Sequence, residues 1–91
     1  MHILNISEYV LVSTAQIDRK SLYKCELRHS KYASRKLIVY RSYLTYIAYL
    51  DEDNILHTVV NNYSRTTARH KSFLSRYLKA AGWLQDLELI V

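Results

Sequence analysis

Arg65, Arg69, Arg76 and Lys79 stand four, seven and three residues apart, so at about 100° per residue they share one side of a helix. No Asp or Glu lies between Arg65 and Lys79, and the stripe therefore has no local partner of opposite sign. Arg65 and Arg69 also crowd the start of that helix, where the macrodipole is already positive. That placement is unfavourable by about 0.3–1 kcal/mol per charge unless an anion sits there. Ser64, Thr66 and Thr67 add hydroxyls at the same end. Free N–H groups at a helix start, hydroxyls and guanidinium forks together make an anion site. The competing explanation is a solvated face that merely keeps a helix soluble.

A second basic region runs from Arg19 to Arg41. It holds Arg19, Lys20, Lys24, Arg28, Lys31, Arg35, Lys36 and Arg41 against a single acid, Glu26, with Tyr23, Tyr32 and Tyr40 between them. Basic side chains grip phosphates and aromatic faces stack on bases, so the mixture suits nucleic acid. It equally suits an outward strand face over an aromatic core. The candidate nucleic-acid or anion-binding residues are Arg65, Arg69, Arg76, Lys79, Thr66 and Thr67, joined by Lys24, Arg28, Lys31 and Arg35. No RNA-module signature and no helix-turn-helix pair is legible.

Bond-making chemistry finds less support. Cys25 and His29 invite a nucleophile–base reading, but on a strand they share a face two pleats apart, beyond hydrogen-bond reach. A small core cysteine is the simpler assignment. His2, His29, His57 and His70 show no metal-ligand spacing, and His70 falls on the packing side of the helix as a satisfied, half-buried residue. Asp51-Glu52-Asp53 has the composition of a cation loop, yet a hairpin turn accounts for it. With one glycine in the chain there is no phosphate loop. No catalytic residue, metal or cofactor is assigned, and an enzyme is not expected.

The elements that must carry these residues follow from patterning. Ninety-one residues make one domain, spanning 1–91, with a thin core. Nine Tyr against one Phe and one Trp suit half-buried strands, ring inward and hydroxyl wet. Glu8 to Ala15 reads as a strand and Asp18 to Ser21 as a break. Tyr23 to Arg28 alternates as a strand does, although Lys20, Lys24, Arg28, Lys31 and Arg35 recur at helical spacing, so residues 16–35 stay open between strand and helix, with strand favoured. Lys36 to Leu50 is too long for one strand and predicts a bend or bulge near Arg41-Ser42. Asp51 to Asn54 is a turn, and Ile55 to Val60 returns as the second arm of a hairpin.

The helix is predicted from Arg65 to Ala81. Ser64 or Thr66 caps its start, and Gly82 takes the left-handed position after its end. His70, Phe73, Leu74, Tyr77, Leu78 and Ala81 form its packing face. Leu84 to Val91 is a last edge strand or a docked tail. The fold class expected is α+β: a small antiparallel sheet of three to five strands packed on one main helix near Arg65–Ala81.

Two stretches resemble a family of small phage-encoded proteins of unknown function. Its strand motif, S-Y-x-T-x-I-A, corresponds here to Ser42-Tyr43-Leu44-Thr45-Tyr46-Ile47-Ala48. Its helix-opening motif, Y-S-x-T-T-x-[RK]-H, corresponds to Tyr63-Ser64-Arg65-Thr66-Thr67-Ala68-Arg69-His70. The resemblance covers about 39–78 and implies a hairpin or small sheet carrying a helix, and a viral or mobile-element origin. It implies no activity.

A formal charge of +5 favours acidic partners. The expectation is a non-catalytic basic module that binds nucleic acid or a nucleic-acid-bound protein complex. The alternative is a phage-encoded inhibitor of a host protein, anti-CRISPR-like, acting by occlusion on an acidic or ribonucleoprotein partner. A third reading is a homodimer formed through edge strands. Cys25 is alone, no apolar run reaches a membrane span, and the opening residues lack a secretory pattern. The cytoplasm, the host's if the protein is viral, is the expected compartment.

Overall fold

The computed structural model describes residues 2–60 and 65–91. It contains β1 (His2–Asn5), a single 3-10 turn (Ile6–Glu8), β2 (Tyr9–Gln16), β3 (Leu22–His29), β4 (Lys36–Ser42), β5 (Thr45–Leu50), β6 (Ile55–Val59), α1 (Arg65–Tyr77) and β7 (Gly82–Ile90). All strands join one seven-stranded sheet in the order β1-β7-β6-β5-β4-β3-β2. This overturns the expected α+β fold of three to five strands on a main helix. The protein is mostly β, a curled half-barrel with one short helix.

The extra strands come from places where the turn signals were weak. Lys36 to Leu50 is two strands, not one: the register does shift between Tyr40 and Arg41, beside the expected bend or bulge, but the chain then reverses at Tyr43 and Leu44, a two-residue hairpin turn without Gly, Asn or Pro, with Ser42 opposite Thr45. The segment 22–29 is a strand, paired antiparallel to β2 and β4, which settles the strand-or-helix alternative. From β2 through β6 the sheet is antiparallel, and β7 then lies parallel to both β6 and β1. Parallel neighbours cannot be joined by a tight turn, so the chain crosses over one face of the sheet between β6 and β7, and α1 is that crossover.

The curl follows from the chain's connectivity. Laid flat, seven strands would put β1 and β2 six spacings apart, about 29 Å. Yet only the short 3-10 turn separates Asn5 from Tyr9, and four residues reach at most about 14 Å. The two edges must therefore bend toward each other. Ile6 in that link is buried with Cys25, Leu27, Leu37 and Val39, and with the flanking rings of Tyr9, Tyr23, Tyr46 and Tyr49. On the opposite face Leu74 of α1 packs with Leu22, Tyr40, Ile47, Ala48, Leu56 and Leu87. Tyr9, Tyr23, Tyr46 and Tyr49 are thus half-buried strand residues, as expected, while Tyr40 is fully buried and Tyr32, Tyr43 and Tyr77 are exposed.

The helix is shorter and rotated relative to the expectation. Its buried residues are Thr67, His70, Lys71 and Leu74. Tyr77 is exposed, and Ala81 lies beyond the helix end. Lys71 is 2 % exposed, and its ammonium donates to the Val59 carbonyl of β6 at 2.8 Å, which anchors the crossover. Burial lowers its pKa.

The helix ends at Tyr77, and the left-handed position after it is taken by Lys79, not Gly82. Lys79 has φ 50° and donates to the Arg76 carbonyl at 3.2 Å, while Ala80 donates to Ser75 at 3.2 Å. These are the two bonds of a Schellman cap with Lys79 in the left-handed position that Gly usually holds. Gly82 instead opens β7, where a Cβ would meet Ile55 Cδ1 at 3.0 Å. The Ser64 cap lies outside the described residues.

Candidate functional site

Two turns and one helix enclose an open groove of about 570 Å³. The β2–β3 turn supplies Arg19, Lys20 and Ser21, and the β4–β5 turn supplies Tyr43. The near side of α1 supplies Thr66, Arg69, His70, Phe73 and Arg76. Four permanent cations line this space and no carboxylate does.

The backbone explains why these side chains converge. Asp18 and Arg19 have φ 50° and 54°, and Lys20 donates to the Ile17 carbonyl at 3.0 Å. Two positive φ values between paired strands make a type I′ turn, which matches strand twist and projects its tip. Asp tolerates that conformation; Arg does so at a cost. Tyr43 is also left-handed at φ 53°, and its N–H donates to the Ser21 carbonyl at 2.8 Å. That bond ties the two turns together. Lys20 is held with its ammonium 4.9 Å from the centre of the Phe73 ring.

His70 sits at the groove floor, with its Nδ1 2.6 Å from Ser42 Oγ. Burial, then the charge of Lys20, lowers its pKa, so at neutral pH the ring is uncharged. Ser42 is only 3 % exposed. A hydroxyl so covered cannot meet a substrate, and the contact pins α1 to β4. His70 is therefore the satisfied histidine expected from the sequence.

The sequence-derived candidates separate into three groups. Thr66, Arg69 and Arg76 line the groove. Arg65, at the helix start, and Lys79, past its end, are exposed but outside it, while Thr67 is buried at 5 % exposure. Lys24 and Arg28 lie exposed along β3 with Glu26 between them. Lys31 and Arg35 belong to the β3–β4 connection beyond the far end of β3, where Arg35 stacks 4.9 Å from the Tyr32 ring centre. Leu22 to His29 spans about 23 Å of strand, so Lys31 and Arg35 lie far from the groove, and the Arg19–Arg41 region meets the helix arginines there only through Arg19 and Lys20. Arg41 covers Tyr23 at 4.8 Å instead.

Arg19 and Lys20, which in sequence are part of the wider basic region and not among the candidate site residues, line the groove, and so does Tyr43, to which the sequence assigns no role. Ser42-Tyr43 and Thr66 with His70 are distant in sequence, and the fold brings them to this one spot.

Ion pairing among the described residues bypasses the groove. The three pairs found join His29 to Glu8, and His57 to Asp51 and Asp86. None reaches Arg65, Arg69, Arg76 or Lys79. His57 is buried, with Nε2 2.7 Å from Asp51 and Nδ1 2.8 Å from Asp86. Both ring nitrogens face carboxylates, which favours the imidazolium. Burial pulls its pKa down, but the hydrogen bonds and charges of the two aspartates outweigh that and raise it. The His57 hydrogen bond in turn leads the lowering of the Asp51 pKa, with the Ile55 N–H behind it. His2 stacks on His57 at 4.3 Å and on Tyr49 at 5.3 Å. Among the described residues no cluster of His, Cys, Asp or Glu has the arrangement to hold a metal ion, and no helix is long and apolar enough to cross a membrane.

Fold and groove together define a small, β-rich, basic protein. The chain belongs to DUF8033, a family of unknown function whose model matches residues 11–87. No curated protein and no solved structure matches it. The matched span runs from β2 to β7 and includes every groove residue.

Proposed function

We propose that this protein is a non-catalytic binding module whose α1 groove takes nucleic acid, alone or within a nucleoprotein complex. One observation carries the reading: Arg19, Lys20, Arg69 and Arg76 face a common concavity that no acidic side chain lines. Like charges brought together without counterions repel one another, and a polyphosphate relieves that repulsion while releasing its own condensed counterions. The motif resemblance supports a phage or mobile-element origin. The buried lone Cys25 is compatible with a reducing host cytoplasm.

The test is a gel shift or heparin retention at two salt concentrations. Binding that falls steeply with salt, and that weakens in an Arg69→Glu/Arg76→Glu variant, supports the reading. Absence of binding even at low salt overturns it.

Self-association is the second reading, and β2 favours it. This outer strand carries no charged residue and no proline, and Val10, Leu11 and Val12 are 57 %, 45 % and 48 % exposed. An unprotected edge of that kind is a template for a second strand. Light scattering of the wild type against Leu11→Lys decides it. A dimer lost in the variant supports edge pairing, and a monomeric wild type rules it out.

A further inference from the structure

We infer that the groove is built for single-stranded rather than duplex nucleic acid, with Tyr43 as the ring on which a base stacks. This rests on the nucleic-acid reading above and adds the strand class and the stacking residue.

The first support is the energetic position of Tyr43. In a two-residue hairpin turn where only the first residue has positive φ, the pattern of a type II′ turn, glycine is the usual occupant. Here that residue is a tyrosine at φ 53°. The ring gains little packing in return, since Tyr43 is 57 % exposed and belongs to neither core cluster. Its ring lies beside the buried His70 ring, with centroids 6.3 Å apart, but a bulky aromatic held in a strained conformation and still more than half exposed at a cavity points to a ligand.

The second support is its surroundings. The backbone N–H of Tyr43 is bonded to Ser21, beside Arg19 and Lys20, and Arg69 lies across the groove. An aromatic platform flanked by cations is the arrangement that binds unpaired strands: cations track the phosphates and the ring meets a base whatever its identity. Arg19 repeats the pattern, as a left-handed non-glycine residue projecting a cation into the same space.

The third support is shape. A helix that reads duplex DNA must protrude into a major groove about 12 Å wide. The basic side of α1 is instead flanked by the β2–β3 and β4–β5 turns, so Arg69 and Arg76 face a recess. A duplex meets the rim of that recess, whereas a single strand enters it.

The experiment is fluorescence anisotropy of the whole protein with a single-stranded oligonucleotide of about 12 nucleotides and with its blunt duplex, at several salt concentrations. The single strand should bind more tightly at every salt. Tyr43→Gly and Tyr43→Ala should weaken it roughly 5- to 100-fold with the salt slope unchanged, and Tyr43→Phe should keep most of the affinity. Arg69→Ala should instead lower the slope by about 0.7. Because glycine relieves the backbone, Tyr43→Gly should also raise the melting temperature, so its lost affinity cannot be a folding defect. Equal or tighter duplex binding, or an indifferent Tyr43→Ala beside a weakened Arg69→Ala, would overturn the single-strand inference and leave the groove as a general polyanion surface. Failure of both oligonucleotides to bind at low salt would overturn this inference and the broader reading together.

Discussion

His57 and the groove arginines are cations of the same small chain, and the fold treats them in opposite ways. His57 is buried between Asp51 and Asp86, with one carboxylate on each ring nitrogen. Arg19, Arg69 and Arg76 share a cavity without a carboxylate on its wall. The chain has eight Asp and Glu for thirteen Lys and Arg, yet the acids that form ion pairs among the described residues go to histidines. Counterions are thus placed where they close the structure, linking the β5–β6 turn to β7. They are withheld where a surface stays open. The His57 cluster holds the fold together, and the groove is the region whose charges the fold leaves uncompensated.

Breaking the His57 cluster should have the largest effect on stability and none on binding. His57→Ala leaves Asp51 and Asp86 facing each other without the cation between them, and should cost about 2–4 kcal/mol in urea unfolding. Its affinity for a polyanion under folded conditions should match the wild type.

The same contrast extends to pH. His57 has a raised folded pKa, so its contribution is complete below the ordinary histidine value of 6.5 and is lost as pH rises through the raised value. Asp51 has a lowered one, so its contribution is present above 3.8 and is lost as pH falls through the lowered value. His70, at the groove floor, is lowered, so its contribution is present above 6.5 and is lost as pH falls through its folded pKa. The two histidines therefore oppose each other, and urea unfolding across pH should show it. His57→Gln should remove the loss of stability on the alkaline side, and His70→Gln the loss on the acidic side.

Filling the groove should stabilise the protein by mass action. Heparin at a hundred times its dissociation constant should add about 2.7 kcal/mol, visible as a higher melting temperature. Arg69→Glu/Arg76→Glu should abolish that gain while leaving the unliganded protein at least as stable, because these side chains have no ion partners to lose among the described residues and the reversal relieves their repulsion with Arg19 and Lys20.

The smallest effect belongs to Lys79, which lies in neither region. Lys79→Gly relieves a left-handed residue and should stabilise by about 0.5–1 kcal/mol with no change in polyanion affinity. It is the control for Tyr43→Gly, where the same backbone relief should accompany lost binding.

Much of the local structure was legible in the sequence. Alternation in Tyr23–Arg28 marked β3, and Asp51–Asn54 marked the β5–β6 turn. The acid-free Arg69 and Arg76 stripe marked one wall of the groove. What escaped was non-local or locally atypical. The partners of β7 are β6 and β1, and the β1 register joins residues some eighty positions apart, which no window detects. The Tyr43-Leu44 turn lacks every usual turn residue, and the cap at Lys79 lacks glycine. Lys71 carries a surface residue's chemistry yet is buried, with its ammonium on the Val59 carbonyl at 2.8 Å, and this turned the packing stripe of the helix. The Asp51–His57–Asp86 cluster needs β6 and β7 side by side before it exists at all.

The most direct measurement is the salt dependence of nucleic-acid affinity for the wild type and for Arg69→Glu/Arg76→Glu. An open groove of cations predicts that log K falls linearly with log salt in the wild type and that charge reversal removes most of the binding at low salt. Affinity indifferent to salt, or untouched by reversing those two charges, would contradict it.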